Sequence, residues 1–204
     1  MYFPIVHNEA DMGSVGAGFS LACEKKYGRV DWRNHVEQVR KSWNRVGDLV
    51  NREFKMSTSR VRIYQDGLPV AGEIGLKIVK DVAKQGSQNY QIVEGLIGQG
   101  ALLEEAESKE LLLQEHGYLS RIGGATTTIE LTKADLLYKE VAEELLNERD
   151  AYIAGRINET LGKGELGMAF FGGKHSIVGK LEKDIVVDVV EEFRDGISVG
   201  LMGL

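Results

Sequence analysis

A chain of 204 residues that is 43% hydrophobic and 27% charged has the make-up of one globular domain of ordinary size, able to bury a substantial core. No apolar run approaches the roughly 18 residues of a bilayer span, and the start Tyr2-Phe3-Pro4-Ile5-Val6 lacks the basic segment and h-region of a signal peptide, so a cytoplasmic protein is expected. A net charge of −6 argues against a nucleic-acid partner, because Arg33, Arg40, Lys41, Arg45 and Arg52 are interleaved with Asp31, Glu37, Asp48 and Glu53 as on a solvated helix face.

Residues 2 to 7 read as a buried strand, and the glycines of Met12-Gly13-Ser14-Val15-Gly16 open a helical stretch that runs to about Tyr27 and stops at Gly28. Cys23, the only cysteine, falls in the apolar run Phe19-Ser20-Leu21-Ala22-Cys23 and reads as a buried, inert thiol. From 31 to 54 the apolar positions Trp32, Val36, Val39, Trp43, Val46, Leu49, Val50 and Phe54 recur mostly at spacings of three and four. That spacing predicts a long amphipathic helix, with Asp31 as its N-cap. A second strand, 60 to 65, ends at the turn Asp66-Gly67-Leu68-Pro69.

The middle portion, about 73 to 161, is helical by pattern. Glycines 86, 95, 98 and 100 break its first part into pieces, and the small polar segment 121 to 128 predicts a mobile surface loop or lid. Thr132-Lys133-Ala134-Asp135 resembles a capping box at the start of a helix reaching 161. A strand then leads to His175, and Ile185-Val186-Val187-Asp188-Val189-Val190 predicts another. The order of elements gives a helix-rich, single α/β domain with a small central, largely parallel sheet.

Chemistry is expected where these strands stop. His7 and His175 each follow an apolar run, and if those runs are neighbouring strands their imidazoles meet in one crevice with nearby carboxylates. His7, Glu9 and Asp11 alternate, which in an extended segment places all three on one side; a turn capped by Asp11 is the structural reading. His175 follows Gly172 and Gly173, where a ligand can approach the backbone and free amides gather positive potential; a simple capping role for His175 competes with this. Histidines and carboxylates without a cysteine cluster suit a divalent Zn, Mn or Co ion, with His7, Asp11 and His175 as ligands. His35 and His116 read as structural.

Arg149 is the most unusual charge. It lies four residues after Leu145 and four before Ile153, on the apolar face of its own helix, and a buried Arg requires a carboxylate. Asp66, Glu73, Glu94 and Glu115 are the candidates. Such a pair orients a general base or binds an anionic substrate group, or is a structural ion pair.

The strand ending in His7, the carboxylate at Asp66, the segment Glu148-Arg149-Asp150-Ala151-Tyr152-Ile153-Ala154-Gly155-Arg156-Ile157 and the closing Phe171-Gly172-Gly173-Lys174-His175 together resemble a superfamily. It includes TraB/PrgY proteins, Tiki-type metalloproteases, erythromycin esterase-like hydrolases and the haem-binding ChaN proteins. The resemblance is specific over about residues 148 to 175 and suggestive at 3 to 13. Pro4-Ile5-Val6-His7 stands where those families usually carry Gly or Gly-Glu before the histidine, and Asp66 where Glu is common. The resemblance implies metal-dependent hydrolysis or a histidine-based esterase-like mechanism on a small molecule or peptide. His7 and His175 would bind the ion or act as general base, Glu9 or Asp66 would activate water, and Arg149 would hold a carboxylate or stabilise developing charge. Two other roles are compatible with the same fold: non-catalytic binding of haem or a small anion, and a homo-oligomeric scaffold built on the long helices.

Overall fold

The structure, a computed structural model, describes residues 1–191. Four strands form one all-parallel sheet in the order β1-β4-β2-β3: β1 is Tyr2–Ile5, β2 is Val61–Gln65, β3 is Leu102–Leu103 and β4 is Leu166–Gly172. Parallel neighbours cannot be joined by hairpins, so every connection is a helical crossover. A 3₁₀ turn (Ala10–Val15), α1 (Gly16–Tyr27) and α2 (Arg29–Met56) join β1 to β2; α3 (Gly72–Lys84) and α4 (Gln88–Gly98) join β2 to β3; α5 (Lys109–Gly123) and α6 (Thr128–Thr160) return from β3 to insert β4 between β1 and β2. The architecture is the helix-rich α/β class that the pattern predicts, with β3 too short to leave a sequence signal.

The alternation of β4 divides the core. Met168 and Phe170 face one side with Phe3, Ile5, Val61 and Ile63, against Trp43, Val46 and Val50 of α2, Val79 of α3 and Val93 and Leu96 of α4. Phe3 stacks on Phe170 at 4.7 Å between ring centres. Ala169 and Phe171 face the other side with Tyr2 and Tyr64, against Ile153 and Ile157 of α6. β1, β2 and β4 are therefore covered on both faces, as a parallel sheet requires, while the short edge strand β3 leaves Leu102 exposed. Cys23 is fully buried.

Several elements differ from the sequence pattern. Gly28, with a φ of 89°, separates α1 from α2, so α2 begins at Arg29 and Asp31 lies in its first turn rather than at its N-cap. Gly86 and Gly100 have positive φ and lie just beyond α3 and α4, and Gly98 is the last residue of α4, but Gly95 sits inside α4 without breaking it. The expected loop at 121 to 128 is a four-residue connection between α5 and α6, and no lid exists there. Its threonines build the cap instead: the Thr127 side chain accepts from the Glu130 amide, and Glu130 reaches back to Thr126 and Thr127. The box expected at Thr132 falls inside α6, where the Thr132 hydroxyl bonds the Thr128 carbonyl.

Residues 185 to 190 form only a parallel bridge to β1, in which the Tyr2 amide donates to the Asp188 carbonyl and the Val190 amide to Tyr2. The next residue on that edge is Pro4, which has no N–H, so the ladder cannot continue. Among the described residues no helix is long and apolar enough to cross a membrane.

The cap assignment is testable. Thr127→Ala is expected to cost about 1 kcal/mol of stability in urea denaturation, whereas Thr132→Ala costs a few tenths at most; the reverse ranking would return the helix start to Thr132.

Candidate functional site

All four strands point their carboxyl ends at the same edge, and each is followed by one residue of a single cluster: His7 after β1, Asp66 after β2, Glu107 after β3 and His175 after β4. Asp66 is its centre. One of its oxygens, Oδ2, receives the Gly172 amide at 2.8 Å, lies 3.0 Å from His7 Nε2 and 3.4 Å from His175 Nε2. The other, Oδ1, accepts from Arg149 Nη2 at 2.8 Å. A side chain at position 172 would bring its Cβ within 3.1 Å of His7 Nε2 and 3.3 Å of Asp66 Oδ2, so glycine there is what lets β4 approach the carboxylate. Burial alone would raise the Asp66 pKa, yet His175 and His7 hold it well below the ordinary carboxylate range.

His175 is almost fully buried and is fixed from both sides. Its Nδ1 lies 2.6 Å from Asp150 Oδ1, the second oxygen of Asp150 accepts the Ser176 amide at 2.8 Å, and the Tyr2 hydroxyl donates to the His175 carbonyl at 3.2 Å. Burial disfavours its charge, but the Asp66 carboxylate and the bonds to Asp150 and Asp66 outweigh it and push the imidazole up to about 10. His7 is the outward-facing member, with a third of its side chain (33%) exposed. Its pKa is also raised, against burial, by Asp66 and Asp11. Trp43 of α2 donates to the Val6 carbonyl at 3.2 Å and so fixes the chain as it leaves β1.

The extended alternation expected at His7, Glu9 and Asp11 does not occur, because the chain turns at Asn8. Asn8 and Asp11 exchange bonds, the Asn8 amide donating to Asp11 Oδ2 at 2.8 Å and the Asp11 amide to Asn8 Oδ1 at 3.0 Å. Asp11 thereby folds back to within 3.8 Å of His7 Nδ1 and accepts the Ser87 hydroxyl from the start of α4. Glu9 is left exposed at the turn, away from the strand ends, and carries no part of the cluster. Gly172 and Gly173 do not offer free amides to a cofactor: the first donates to Asp66 and the second to the Ile5 carbonyl at 3.0 Å.

Arg149 is buried on α6, as its position predicts, and its partners are Asp66, Glu107 and Glu115. Nη2 bridges Asp66 and Glu107, Nε donates to Glu107 Oε2 at 3.2 Å, and Nη1 donates to Glu115 of α5. Glu73 and Glu94 are not among these partners. With its donors spent on carboxylates and 5% of its surface exposed, Arg149 holds Asp66 and Glu107 side by side. Burial, with Asp66 adding, pushes Glu107 up to about 7 against the pull of Arg149.

Two members escape a reading of the sequence. Glu107 follows a two-residue strand that has no periodicity to betray it. Asp150, buried in the structure, carries one signal in the sequence, its place directly after Arg149. Successive residues on a helix point about 100° apart, so Arg149 turns toward β2 and β3 while Asp150 turns toward the loop after β4.

The cluster suits a divalent cation on two counts. Donor atoms of Asp66, Glu107 and His175 lie within 4.8 Å of one another, a mixed nitrogen and oxygen set compatible with Zn, Mn or Co. With Nδ1 anchored on Asp150, the His175 nitrogen that could meet a cation is Nε2, and an anchored second nitrogen is the arrangement that orients metal-binding imidazoles. Charge points the same way: with every group ionised, five carboxylates, Asp11, Asp66, Glu107, Glu115 and Asp150, outnumber Arg149 and two imidazolium ions, and burial raises Asp11 and Glu107 toward protonation where no further cation is present. The set differs from His7, Asp11 and His175, because Asp66 separates the histidines and Asp11 is held by Asn8 and Ser87.

Comparison with protein-family models, with curated proteins and with solved structures finds no match to this chain.

Two outcomes follow for the metal-free protein. His175 is raised above its ordinary 6.5 on folding, so its contribution is present below that pH and is lost as pH rises toward 10; Glu107, raised from 4.5 to about 7, adds a loss in the same direction at lower pH. Denaturation in EDTA should show stability falling between pH 6.5 and 10, with a shallower slope in Asp66→Asn; a flat wild-type profile would contradict the charge assignment. Arg149→Met, which strands two buried carboxylates, should cost about 3–5 kcal/mol, and a near-neutral variant would show that the pairs are not formed.

Proposed function

We propose that the protein is a hydrolase that cleaves an ester or amide bond in a small molecule or peptide, with a divalent cation held by Asp66, Glu107 and His175. The observation that carries this reading is the convergence of those three donors at the strand ends, with His175 Nδ1 locked on Asp150. When bound, the ion supplies Lewis-acid polarisation and a water of lowered pKa.

The residues of the chain do the remaining work. Asp150 fixes the His175 ring, and Arg149 holds Asp66 and Glu107 against their mutual repulsion. His7 is the one imidazole of the cluster with solvent access, and its Nε2 faces Asp66 while Nδ1 faces Asp11. With its charged form favoured by both carboxylates, it is placed to donate a proton to the leaving group as the general acid. The negative excess of the crevice favours neutral or cationic substrates over phosphate esters and carboxylates. A metal-free version of the same acid-base scheme has one observation in its favour, namely that Arg149 already neutralises Asp66 and Glu107.

Metal analysis of the purified protein tests the proposal. About one equivalent of Zn, Mn or Co is expected in the wild type and far less in His7→Ala/His175→Ala, with affinity rising with pH because the proton of His175 must leave first. Equal metal content in both proteins removes the metal-dependent reading. Ester hydrolysis that survives EDTA but is lost in His7→Ala would favour the metal-free scheme.

A further inference from the structure

The structure holds a second concavity, at the opposite end of the sheet from the histidines. It has a volume of about 490 Å³ and lies between the sheet, the end of α6 and the segment that follows His175. Its origin is legible in β4. On the face toward α6 that strand presents Gly167 and Ala169 before Phe171; Leu161 and Tyr64 already pack over Gly167, where a Cβ would meet them at 3.4–3.5 Å, and the small side chain of Ala169 leaves the opening. The opening is walled by Ile157 of α6 and by Leu161 just beyond its end, with Leu181 and Ile185 on the outer side. A space of this size exceeds the voids that a packed core tolerates and falls within the range of small-molecule pockets.

The mouth is polar and unequal. Glu165 lines it, but is neutralised by Arg60 and Arg62 and accepts the Gly162 amide at 2.8 Å. Asp184 is exposed at the rim. Lys163, between two glycines, also lines the mouth and pairs with no carboxylate among the described residues. An apolar body with one anionic end matches this layout. The far wall includes Ile177, two residues beyond His175, and Tyr2, whose hydroxyl bonds the His175 carbonyl, so an occupant would touch the loop that carries the histidine.

We propose that this cavity binds a free long-chain monocarboxylate, its acyl chain against Ala169, Ile157 and Ile177 and its carboxylate at Lys163. The inference is independent of the hydrolytic reading, since it needs neither a metal nor turnover. Isothermal titration of the full chain with dodecanoate, below its micellar concentration, tests it. Saturable 1:1 binding with a micromolar dissociation constant is expected, with hexanoate weaker by about tenfold or more. Ala169→Phe should fill the cavity and weaken dodecanoate by about tenfold or more, and Lys163→Gln by severalfold. Leu161→Trp, which fills the same space from the residue just after α6, replaces Ala169→Phe should that variant fail to fold, as read by circular dichroism. No saturable binding to the wild type, or equal affinity in a folded cavity-filling variant, overturns the proposal.

Discussion

The Asp66 carboxylate is the constraint on which the rest of this structure depends. It begins where β2 ends, and its own amide still pairs with β4 through the Phe170 carbonyl at 2.9 Å. Its side chain then gathers the Gly172 amide, His7, His175 and Arg149, so that three strands and α6 meet on two oxygen atoms. A buried carboxylate is tolerable only when its acceptor positions are filled by donors of opposite charge. Here those donors are themselves the groups that could do chemistry. The same bonds that hold the sheet edge together therefore set the protonation states of the two imidazoles.

Charge explains why the cluster reads as a site and not as an ordinary buried ion pair. A structural pair needs one cation for each anion, and Arg149 with Asp66 would suffice. This protein adds Glu107 and Glu115 to the same guanidinium, places Asp150 behind His175 and sets Asp11 behind His7. The surplus of carboxylates leaves the crevice short of positive charge, and protons on the histidines make up part of the difference. A divalent cation would take the place of those protons, which is why metal uptake and pH are linked in this account.

Much of this was legible in the chain, for reasons that differ by residue. His7 and His175 follow apolar runs that could only be buried strands, and Arg149 interrupts an apolar helical face, so each carries a local contradiction that a site resolves. Asp66 follows a strand directly and inherits its place from the parallel topology. Glu107 has no such context, since β3 is two residues long and pairs only through Arg62 and Ile63. Glu9 and Asp11 were separated by a turn whose cause, the exchange of bonds between Asn8 and Asp11, depends on side-chain reach and not on alternation. The cap at Thr127 instead of Thr132 is a similar case, in which two chemically adequate starts compete and the one that also satisfies Thr126 is realised.

The central claim is that Asp66, Glu107 and His175 form one cation site with Asp150 behind it. Crystals soaked in Mn or Zn and measured at the metal's absorption edge test that most directly. The account predicts an anomalous peak within bonding distance of His175 Nε2 and of carboxylate oxygens from Asp66 and Glu107, with Asp150 still on Nδ1. A fully occupied ion elsewhere on the chain, with His175 and Asp66 still bonded to each other, would contradict it.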